Sequence, residues 1–515
     1  MAKDSRTGKS IKNAKIALLY YCINLILQFF SRKIFLEYLG SEVLGLNTTA
    51  MNLLQFLNLA ELGIGAAIGY SLYKPLACKD RQTVNEIVSV QGYLYRRIGV
   101  IILLAAGVLM CFFPRFFEKA HIPLWYAYAT FSVLLIDALA GYFFNYRQIV
   151  LTADQKNYKL ILAVQSIKFV KVILQILAIS YFENGYVWWL GLEFCMTIFS
   201  VFAINLTLKK EYPWLSSNPS EGKSLRAKYP QIITKTKQLF FHKIASFALF
   251  QTSPLIIYSY ATLTLVAIYG NYMLIVTGVL MLINAIFNSI NAGVGNLVAE
   301  GDKTRILRVF NELFSSRFLM AATISFGVYT LADPFISLWV GEQYLLDRTS
   351  LILMVCILYI NASRSTVDSY INAYGLFHDI WAPIAEASLN LGLSILFGYF
   401  WGLHGILCGV LISLVLIIFV WKPYFLFSRG MKEPVIKYIT LYSKHIIAAA
   451  VIAVLMLAVL PRISIDPNAS YLNLVLYGGI IVSLFFILLA ILLYISEQGM
   501  KDFTARISNV IRKKI

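Results

Sequence analysis

Long apolar stretches recur along the whole chain and are separated by short polar connections. Each stretch provides about the 20 apolar residues that an α-helix needs to cross the hydrocarbon core of a bilayer. Fourteen such stretches occur, at about 16–39, 43–73, 93–114, 122–147, 158–182, 187–208, 239–262, 264–296, 317–341, 350–375, 382–402, 404–427, 443–461 and 472–494. The pattern predicts an all-α polytopic membrane protein with about fourteen transmembrane helices.

The composition supports a membrane protein. Hydrophobic residues make up 59% of the 515 positions and charged residues only 14%, whereas soluble domains average about 25% charged residues. A water-soluble fold of this size cannot bury so much apolar surface, so the excess is expected to face lipid. The net charge of +18 could indicate a nucleic-acid ligand. The basic residues instead lie between the apolar stretches, which is the pattern of membrane topology, and we expect no nucleic-acid partner.

Lysine and arginine are distributed unevenly between alternate connections. The connections on the side of the N-terminus contain 34 of them, while the opposite side contains four, namely Arg115, Lys119, Arg348 and Arg462. Because cytoplasmic loops carry the excess of positive charge, the sequence predicts that the N- and C-termini both lie in the cytoplasm. The asymmetry also supports the number of spans, since one missed helix would invert every later connection.

The longest connection, 209–238, is basic, contains three prolines and follows the sixth span. We interpret it as a cytoplasmic linker between two six-helix lobes. The predicted organisation is an N-lobe at 1–208, the linker at 209–238, a C-lobe at 239–427, and two C-terminal spans with a basic cytoplasmic tail at 428–515. A weak repeat of Lys15-Ile16-Ala17 as Lys243-Ile244-Ala245 suggests duplication. Six helices per lobe give both lobes the same orientation, an arrangement known from secondary transporters.

Polar side chains recur inside six spans at helical spacings, so each set lies on one face of its helix. These stripes are Gln55/Asn58/Glu61, Asp137/Asn145, Gln165/Lys168/Lys171/Gln175, Thr277/Asn284/Asn288/Asn291, Asn361/Arg364/Asp368/Asn372 and Glu386/Asn390/Ser394. Charged groups in hydrocarbon usually face a protein interior or a water-filled cavity. The stripes therefore predict one polar lumen formed by both lobes.

Five basic residues within the spans are candidates for binding an anionic substrate, because Coulomb attraction strengthens in a low-dielectric site and arginine matches phosphate geometry. These residues are Arg32, Lys168, Lys171, Lys243 and Arg364. The candidates for lining the lumen and for coupling to an ion gradient are Gln55, Asn58, Glu61, Asp137, Asn284, Asn288, Asn361, Asp368 and Glu386.

Each candidate also has a purely structural interpretation. Asparagine and glutamine can join helices without contacting a ligand, and Lys243, near the end of its span, could extend to the interface. Arg32 and its neighbour Lys33 could pair with Glu37 or extend outward. Arg364 could be neutralised by the aspartate one turn away, and the carboxylates could be partners of the cations instead of proton carriers.

The sequence offers little support for an enzyme or a metal protein. Six scattered cysteines include no CxxC pair and five histidines form no cluster, so neither a disulfide framework nor a metal site is predicted. A membrane polymerase or ligase for a glycolipid would need a sizeable periplasmic loop. The connections on that side have about 14 residues at most, and no nucleophile motif or pair of catalytic carboxylates occurs outside the spans. We expect no enzymatic activity and no cofactor.

The first two spans carry a recognisable string of residues. It reads SRKIFL at 31–36, LGSEVLGLN at 39–47, LAELGIGAAI at 59–68 and YSLYKPLA at 70–77. This string of about 50 residues resembles the amino-terminal signature of Wzx-type oligosaccharide flippases, which handle O-antigen or capsule repeat units. They form part of the polysaccharide transporter family of the multidrug/oligosaccharidyl-lipid/polysaccharide exporter (MOP) superfamily.

The resemblance implies a function. Such proteins move undecaprenyl-diphosphate-linked sugar repeat units from the cytoplasmic to the periplasmic leaflet of the bacterial inner membrane, by alternating access around a cationic cavity and with coupling to a proton or sodium gradient. The polymerase and glycosyltransferases of the same pathway are the implied partners. The surroundings of Arg32 match the family string directly, whereas the other four cations match only its general cationic character.

A related exporter of a small amphiphile or drug is the alternative hypothesis. A site for such cargo is expected to favour acidic or aromatic residues, while the in-span set of this chain is mostly basic. The lipid-linked oligosaccharide is therefore the favoured substrate.

Overall fold

The computed structural model describes residues 6–61, 63–234, 236, 253–287, 291–376, 379 and 381–512. All regular structure in these residues is helical. The chain divides into two units, residues 1–267 and 268–515. The first unit contains α1 (Arg6–Leu57), a 3₁₀ turn (Asn58–Glu61), α2 (Ile64–Ala77), α3 (Arg81–Cys111), a short turn (Phe113–Phe116), α4 (Leu124–Phe143), two short turns (Tyr146–Gln148 and Ile149–Ala153), α5 (Asn157–Tyr181), α6 (Gly185–Glu211), α7 (Gly222–Lys228) and α8 (Ser253–Tyr260). It also includes the start of α9 (Leu263–Phe287).

The second unit begins within α9. It continues with α10 (Asn291–Glu300), α11 (Lys303–Val340), a 3₁₀ turn (Glu342–Tyr344), α12 (Arg348–Ser363), α13 (Ser365–Ala373), α14 (Trp381–Leu414), α15 (Ile436–Val459), a 3₁₀ turn (Leu460–Arg462), α16 (Tyr471–Ser496) and α17 (Gln498–Arg512). Wide π-type turns at Val415–Trp421 and Leu426–Met431, with the helical turn Lys422–Phe425 between them, extend α14 to Met431.

Ten helices in the described part of the chain are long and apolar enough to cross a membrane. They are Arg81–Cys111, Leu124–Phe143, Asn157–Tyr181, Gly185–Glu211, Leu263–Asn284, Lys303–Val340, Arg348–Ala373, Trp381–Met431, Ile436–Arg462 and Tyr471–Ser496. Eleven of the predicted spans fall on these ten helices. The predicted all-α polytopic membrane class is confirmed.

The first two predicted spans lie on α1 and α2. Helix α1 runs for 52 residues and is interrupted at Gly40, whose φ is 81°. The interruption falls between the predicted spans 16–39 and 43–73. The seventh predicted span, 239–262, lies outside the described residues except for its last part, which forms α8.

Two predicted spans lie within the single helical stretch Trp381–Met431. At 1.5 Å per residue a straight helix of that length would be about 75 Å long, more than twice the ~30 Å hydrocarbon core. Gly402 reverses the chain with φ 54° and ψ −129°, a conformation that glycine adopts at little steric cost. Two later glycines then allow close backbone approach: a Cβ on Gly405 would lie 1.9 Å from the Phe397 carbonyl oxygen, and one on Gly409 would lie 2.4 Å from the Ser394 nitrogen. The two halves therefore form an antiparallel hairpin.

The chain forms two compact units, Met1–Ala267 and Ile268–Ile515. The boundary lies C-terminal to the predicted linker, because α8 and the start of α9 pack with α1. The backbones approach closely there: a Cβ on Gly45 would lie 2.0 Å from the carbonyl oxygen of Leu263. The division into six-helix lobes at 209–238 stays a prediction.

The described part of the predicted linker is docked onto α3. Asn218 donates its backbone N–H to the Ser89 hydroxyl at 2.9 Å, and Lys228 contacts Glu86 with 2.6 Å between Nζ and Oε2. Tyr229 donates its hydroxyl to the same carboxylate. The segment thus belongs to the packing of the first unit and is more than a connection.

In the second unit, α11 forms the centre of the core. Phe310, Phe314 and Phe318 on this helix are almost fully buried and contact the aromatic rings of Tyr438 and Tyr442 on α15. At the start of α11, Arg506 of α17 pairs with Glu312 at 2.8 Å. The last described helices are therefore packed against the core of this unit.

Gly222→Ala tests the docking of the linker. A Cβ there would lie 2.5 Å from both the Ser89 carbonyl oxygen and the Tyr93 Cβ, so backbone must shift. We expect a loss of about 1–3 kcal/mol, the usual cost of overpacking, measured as a lower midpoint of thermal unfolding in detergent. Gly191→Ala is the matched control because its Cβ would meet no atom within 4 Å. Equal midpoints for both variants would contradict the docking.

Candidate functional site

A cluster of charged side chains in the second unit surrounds Asp368. Arg364, at the junction of α12 and α13, donates from Nε to Asp368 Oδ2 at 3.0 Å. Lys422, on the second arm of the α14 hairpin, donates to Asp368 Oδ1 at 2.7 Å. Glu386, on the first arm, lies 3.9 Å from Arg364, measured between Oε1 and Nη1. One carboxylate thus holds two cations, and the hairpin brings Glu386 and Lys422 to the same place.

Arg317 of α11 is a third buried cation, with only 3% of its surface exposed. Its Nε donates to the Ala362 carbonyl oxygen at 2.7 Å and its Nη2 to Asn284 Oδ1 at 3.1 Å. Ala362 lies two residues before Arg364, so Arg317 joins α9 and α12 close to the Asp368 cluster. Together these groups comprise three cations, Arg317, Arg364 and Lys422, against two carboxylates. We call this set the cation cluster.

The stripe on span eleven faces span twelve. Glu386, Asn390 and Ser394 are 2%, 0% and 0% exposed, and the Ser394 hydroxyl donates to the Ile406 carbonyl at 3.1 Å. Within the described residues, Glu386 Oε1 and both polar atoms of the Asn390 amide have no hydrogen-bond partner. The stripe was predicted to line a polar lumen, which stays a prediction, and the structure packs Ser394 against the second arm of the hairpin. A buried amide and a buried carboxylate oxygen without hydrogen-bond partners form an unusual polar site, since such groups are normally satisfied.

The first unit contains a second polar cluster, at the contact of α4, α5 and α6. Lys171 Nζ lies 2.5 Å from Glu193 Oε1, and Gln175 donates to Glu193 Oε2 at 2.9 Å. Thr197, one turn after Glu193, donates its hydroxyl to Asp137 Oδ1 at 2.8 Å. The stripe of Lys171 along its own helix contains no acidic residue, and its partner comes from the neighbouring helix.

Lys168 lies one turn before Lys171 and differs from it. Its side chain is exposed and makes no ion pair or hydrogen bond with any residue that the structure describes. Of Lys168 and Lys171, only Lys168 therefore offers a charge that no described residue compensates.

Near the start of the chain, Arg32 donates from Nη2 to the Ala267 carbonyl at 3.1 Å. Lys33 and Glu37 are both exposed.

Two other predicted residues are held by tyrosines: Tyr95 donates to Glu61 Oε1 at 2.6 Å, and Tyr142 donates to Asn58 Oδ1 at 3.1 Å. A tyrosine hydroxyl thus holds each of these two polar groups, whereas a backbone carbonyl holds Arg32.

The other predicted residues are spread over both units. Gln55 is half-buried, Asn284 accepts from Arg317, and Asn361 donates to the Ile357 carbonyl of its own helix at 2.9 Å. Lys243 and Asn288 lie outside the described residues. The structure therefore groups Arg364, Asp368 and Glu386 in one cluster and Lys171 and Asp137 in another, and a common lumen stays a prediction.

The sequence-based set lacked several residues that contact its members. Arg317 and Lys422 lie near the ends of predicted spans and were counted among the basic residues of the adjoining connections, although both lie within helices. Glu193 and Tyr95 bind charged groups across helices, and spacing along a single helix cannot reveal such pairs. The described residues contain no group of three or more histidine, cysteine or acidic side chains that could hold a metal ion.

The fold resembles those of two solved transporters. The structure of lipid II flippase MurJ in an inward closed conformation matches with a TM-score of 0.64 and 15% identity, covering 94% of this chain and 99% of that one. A multidrug resistance MATE family transporter of the MOP superfamily, in an inward-facing conformation, matches with a TM-score of 0.58 and 12% identity, covering 81% and 99%. No family model and no curated protein matches the sequence. The chain is a multi-pass membrane protein with the fold of these transporters.

A double-mutant cycle tests the Lys171–Glu193 pair. Lys171→Met leaves the Glu193 carboxylate with an unpaired charge, so each single variant should be destabilised, and the coupling energy should be about 0.5–3 kcal/mol, as for residues in contact. Denaturant unfolding of the full chain measures it. Lys168→Met combined with Glu193→Gln is the matched control and should show no coupling. Equal coupling for both lysines would contradict the assignment.

Proposed function

We propose that this chain is a flippase that moves undecaprenyl-diphosphate-linked oligosaccharide repeat units from the cytoplasmic to the periplasmic leaflet of the bacterial inner membrane. Transport proceeds by alternating access and serves the synthesis of a surface polysaccharide. The observation that carries the proposal is the cation cluster beside an apolar cavity in the same unit, which together match an anionic head and a hydrocarbon tail.

The cavity has a volume of about 650 Å³ and lies between α11, α12, α14, α15 and α16. Its lining is almost entirely apolar and aromatic and includes Tyr329, Leu411, Ile446, Leu457 and Phe485. Such a surface favours a hydrocarbon ligand, because binding it removes apolar surface from water and buries no polar group. The cavity can therefore accept part of a polyprenyl chain.

The cavity lies next to the cation cluster. Two of its lining residues are close in the chain to members of the cluster: Phe318 follows Arg317 directly, and Phe419 lies three residues before Lys422. The surplus of cation over carboxylate in the cluster favours an anion, and the forked guanidinium groups suit phosphate oxygens. A lipid diphosphate satisfies both surfaces at once.

The topology and the fold agree with this function. The excess of basic residues on the side of the N-terminus favours cytoplasmic termini in the inner membrane. The likeness to the structure of lipid II flippase MurJ supports a lipid-linked substrate. The polymerase and glycosyltransferases of the same pathway are the proposed partners.

Substitutions in the cation cluster test the substrate site. Arg364→Gln and Lys422→Met remove charge from the cluster, and we expect each to slow flipping of an undecaprenyl-diphosphate-linked glycan in proteoliposomes by about tenfold or more, the effect of losing about 1.4 kcal/mol. Arg305→Gln is the control, since this arginine is exposed and paired with Glu300 outside the cluster. Surface polysaccharide in cells lacking the native gene gives a second readout. Full activity of both cluster variants at normal expression would contradict the site.

An exporter of small amphiphiles is the second candidate. It is favoured by the likeness to the MATE transporter and by the cavity, whose volume is within the range of small-molecule pockets. A drug-sensitivity panel of the deletion strain separates the two functions, because the flippase leaves drug tolerance unchanged.

We further propose that Glu386 and Asn390 couple transport to a proton or sodium gradient. Both are buried, and Glu386 Oε1 and both polar atoms of the Asn390 amide lack hydrogen-bond partners among the described residues. A proton on the carboxylate, or a sodium ion held by the two side-chain oxygens, would satisfy them. Arg364 lies 3.9 Å from Glu386, so a change of charge there reaches the substrate cluster directly.

Glu386→Gln tests the coupling. The wild type should flip the lipid-linked glycan faster when a pH or sodium gradient is imposed on the vesicles. The variant, which cannot change its charge, should flip at one rate with and without either gradient. Glu342→Gln, an exposed carboxylate outside the spans, should behave as the wild type. An undiminished response in Glu386→Gln would exclude this site.

A further inference from the structure

A second cavity lies at the end of the second unit that is predicted to face the cytoplasm. It has a volume of about 360 Å³ and is enclosed by the start of α11, the start of α15 and the corner between α16 and α17. The backbone at this corner approaches α11 closely, since a Cβ on Gly499 would lie 2.7 Å from the Asn311 carbonyl oxygen. The cavity is thus a formed feature of the helix packing and lies apart from the cation cluster.

The charged groups of this cavity have a definite order. Glu497, at the corner, has only 12% of its side chain exposed, while Lys444 is 58% exposed at the mouth. Lys444 Nζ lies 3.4 Å from Glu497 Oε1, yet this oxygen accepts no hydrogen bond from the described residues. Lys437, also in the lining, is already paired with Glu433 at 2.6 Å. The inner end of the cavity therefore presents a carboxylate whose Oε1 accepts no hydrogen bond from the described residues, and its mouth presents an ammonium group.

The rest of the lining suits the interfacial region of a phospholipid. Leu307, Ile436 and Leu441 provide an apolar wall, and Tyr438 contributes an amphipathic ring of the kind that lies at the headgroup level of membranes. Asn311 and Thr440 add neutral polar groups. Pockets with basic residues between transmembrane helices on the cytoplasmic side are established places for lipid headgroups.

We propose that this cavity binds the headgroup of phosphatidylethanolamine. The primary ammonium of the headgroup donates hydrogen bonds to the Glu497 carboxylate, and the adjacent phosphate pairs with Lys444. The charges of the pocket nearly cancel, which disfavours a purely anionic headgroup. Phosphatidylcholine has the same net charge but carries no N–H donor, so it leaves Glu497 Oε1 without a hydrogen bond, a costly state for a mostly buried group.

Native mass spectrometry of the full-length protein, with titrated palmitoyl-oleoyl phosphatidylethanolamine, phosphatidylcholine and phosphatidylglycerol, tests the proposal. We expect the wild type to bind phosphatidylethanolamine about tenfold more tightly than either other lipid, a difference of about 1.4 kcal/mol. Glu497→Gln should abolish this preference, and Lys444→Ala should weaken phosphatidylethanolamine binding by a similar factor. Lys303→Ala is the matched control and should bind as the wild type does, because Lys303 is an exposed lysine at the start of α11 and is not in the cavity lining.

The comparison of the three lipids on the wild type needs no substitution, so it stays informative even if a variant fails to fold. Equal binding of phosphatidylglycerol or phosphatidylcholine by the wild type would overturn the proposal. So would a preference for phosphatidylethanolamine that survives in a folded Glu497→Gln variant.

Discussion

The cost of placing charge in hydrocarbon governs the interior of this protein. An ionised side chain near the bilayer centre persists only when it is paired or faces water, and removing one partner of a buried pair leaves a charge that destabilises the fold. The cation cluster meets this condition by sharing partners. Asp368 holds Arg364 and Lys422 together, and Arg317 is satisfied by a backbone carbonyl and an asparagine oxygen. Each arrangement leaves the cations fixed in place without cancelling all of their charge.

The hairpin at Gly402 makes this cluster, because it returns the chain so that Glu386 on the first arm and Lys422 on the second both lie near Arg364. The small residues at 405 and 409 allow the arms to approach closely, as is common at helix interfaces in membranes. The same close packing buries Asn390 and Ser394. Helix packing and the chemistry of the site therefore depend on the same few residues, and a substitution at Gly405 is expected to affect both.

The membrane class and the positions of most spans could be predicted because length and apolarity of a segment decide whether it crosses a bilayer. The pairing of Arg364 with Asp368 could also be foreseen, since residues four apart lie on one helical face. The contacts of Lys171 and Lys422 could not, because their partners come from other helices and spacing along one segment contains no information on them. Arg317 was counted with a connection because the apolar window begins at its position. The docked part of the predicted linker, 209–234, resembled a simple connection because of its prolines and charge.

Transport is expected to require the negative charge of the lipid carrier. The most direct measurement compares flipping in proteoliposomes of two fluorescent glycolipids with the same glycan and the same polyprenyl chain. One carries a diphosphate and the other an uncharged linkage. Rapid flipping of the diphosphate and little flipping of the uncharged lipid is the predicted result, whereas equal rates for the two would show that the cation cluster has no part in recognising the substrate.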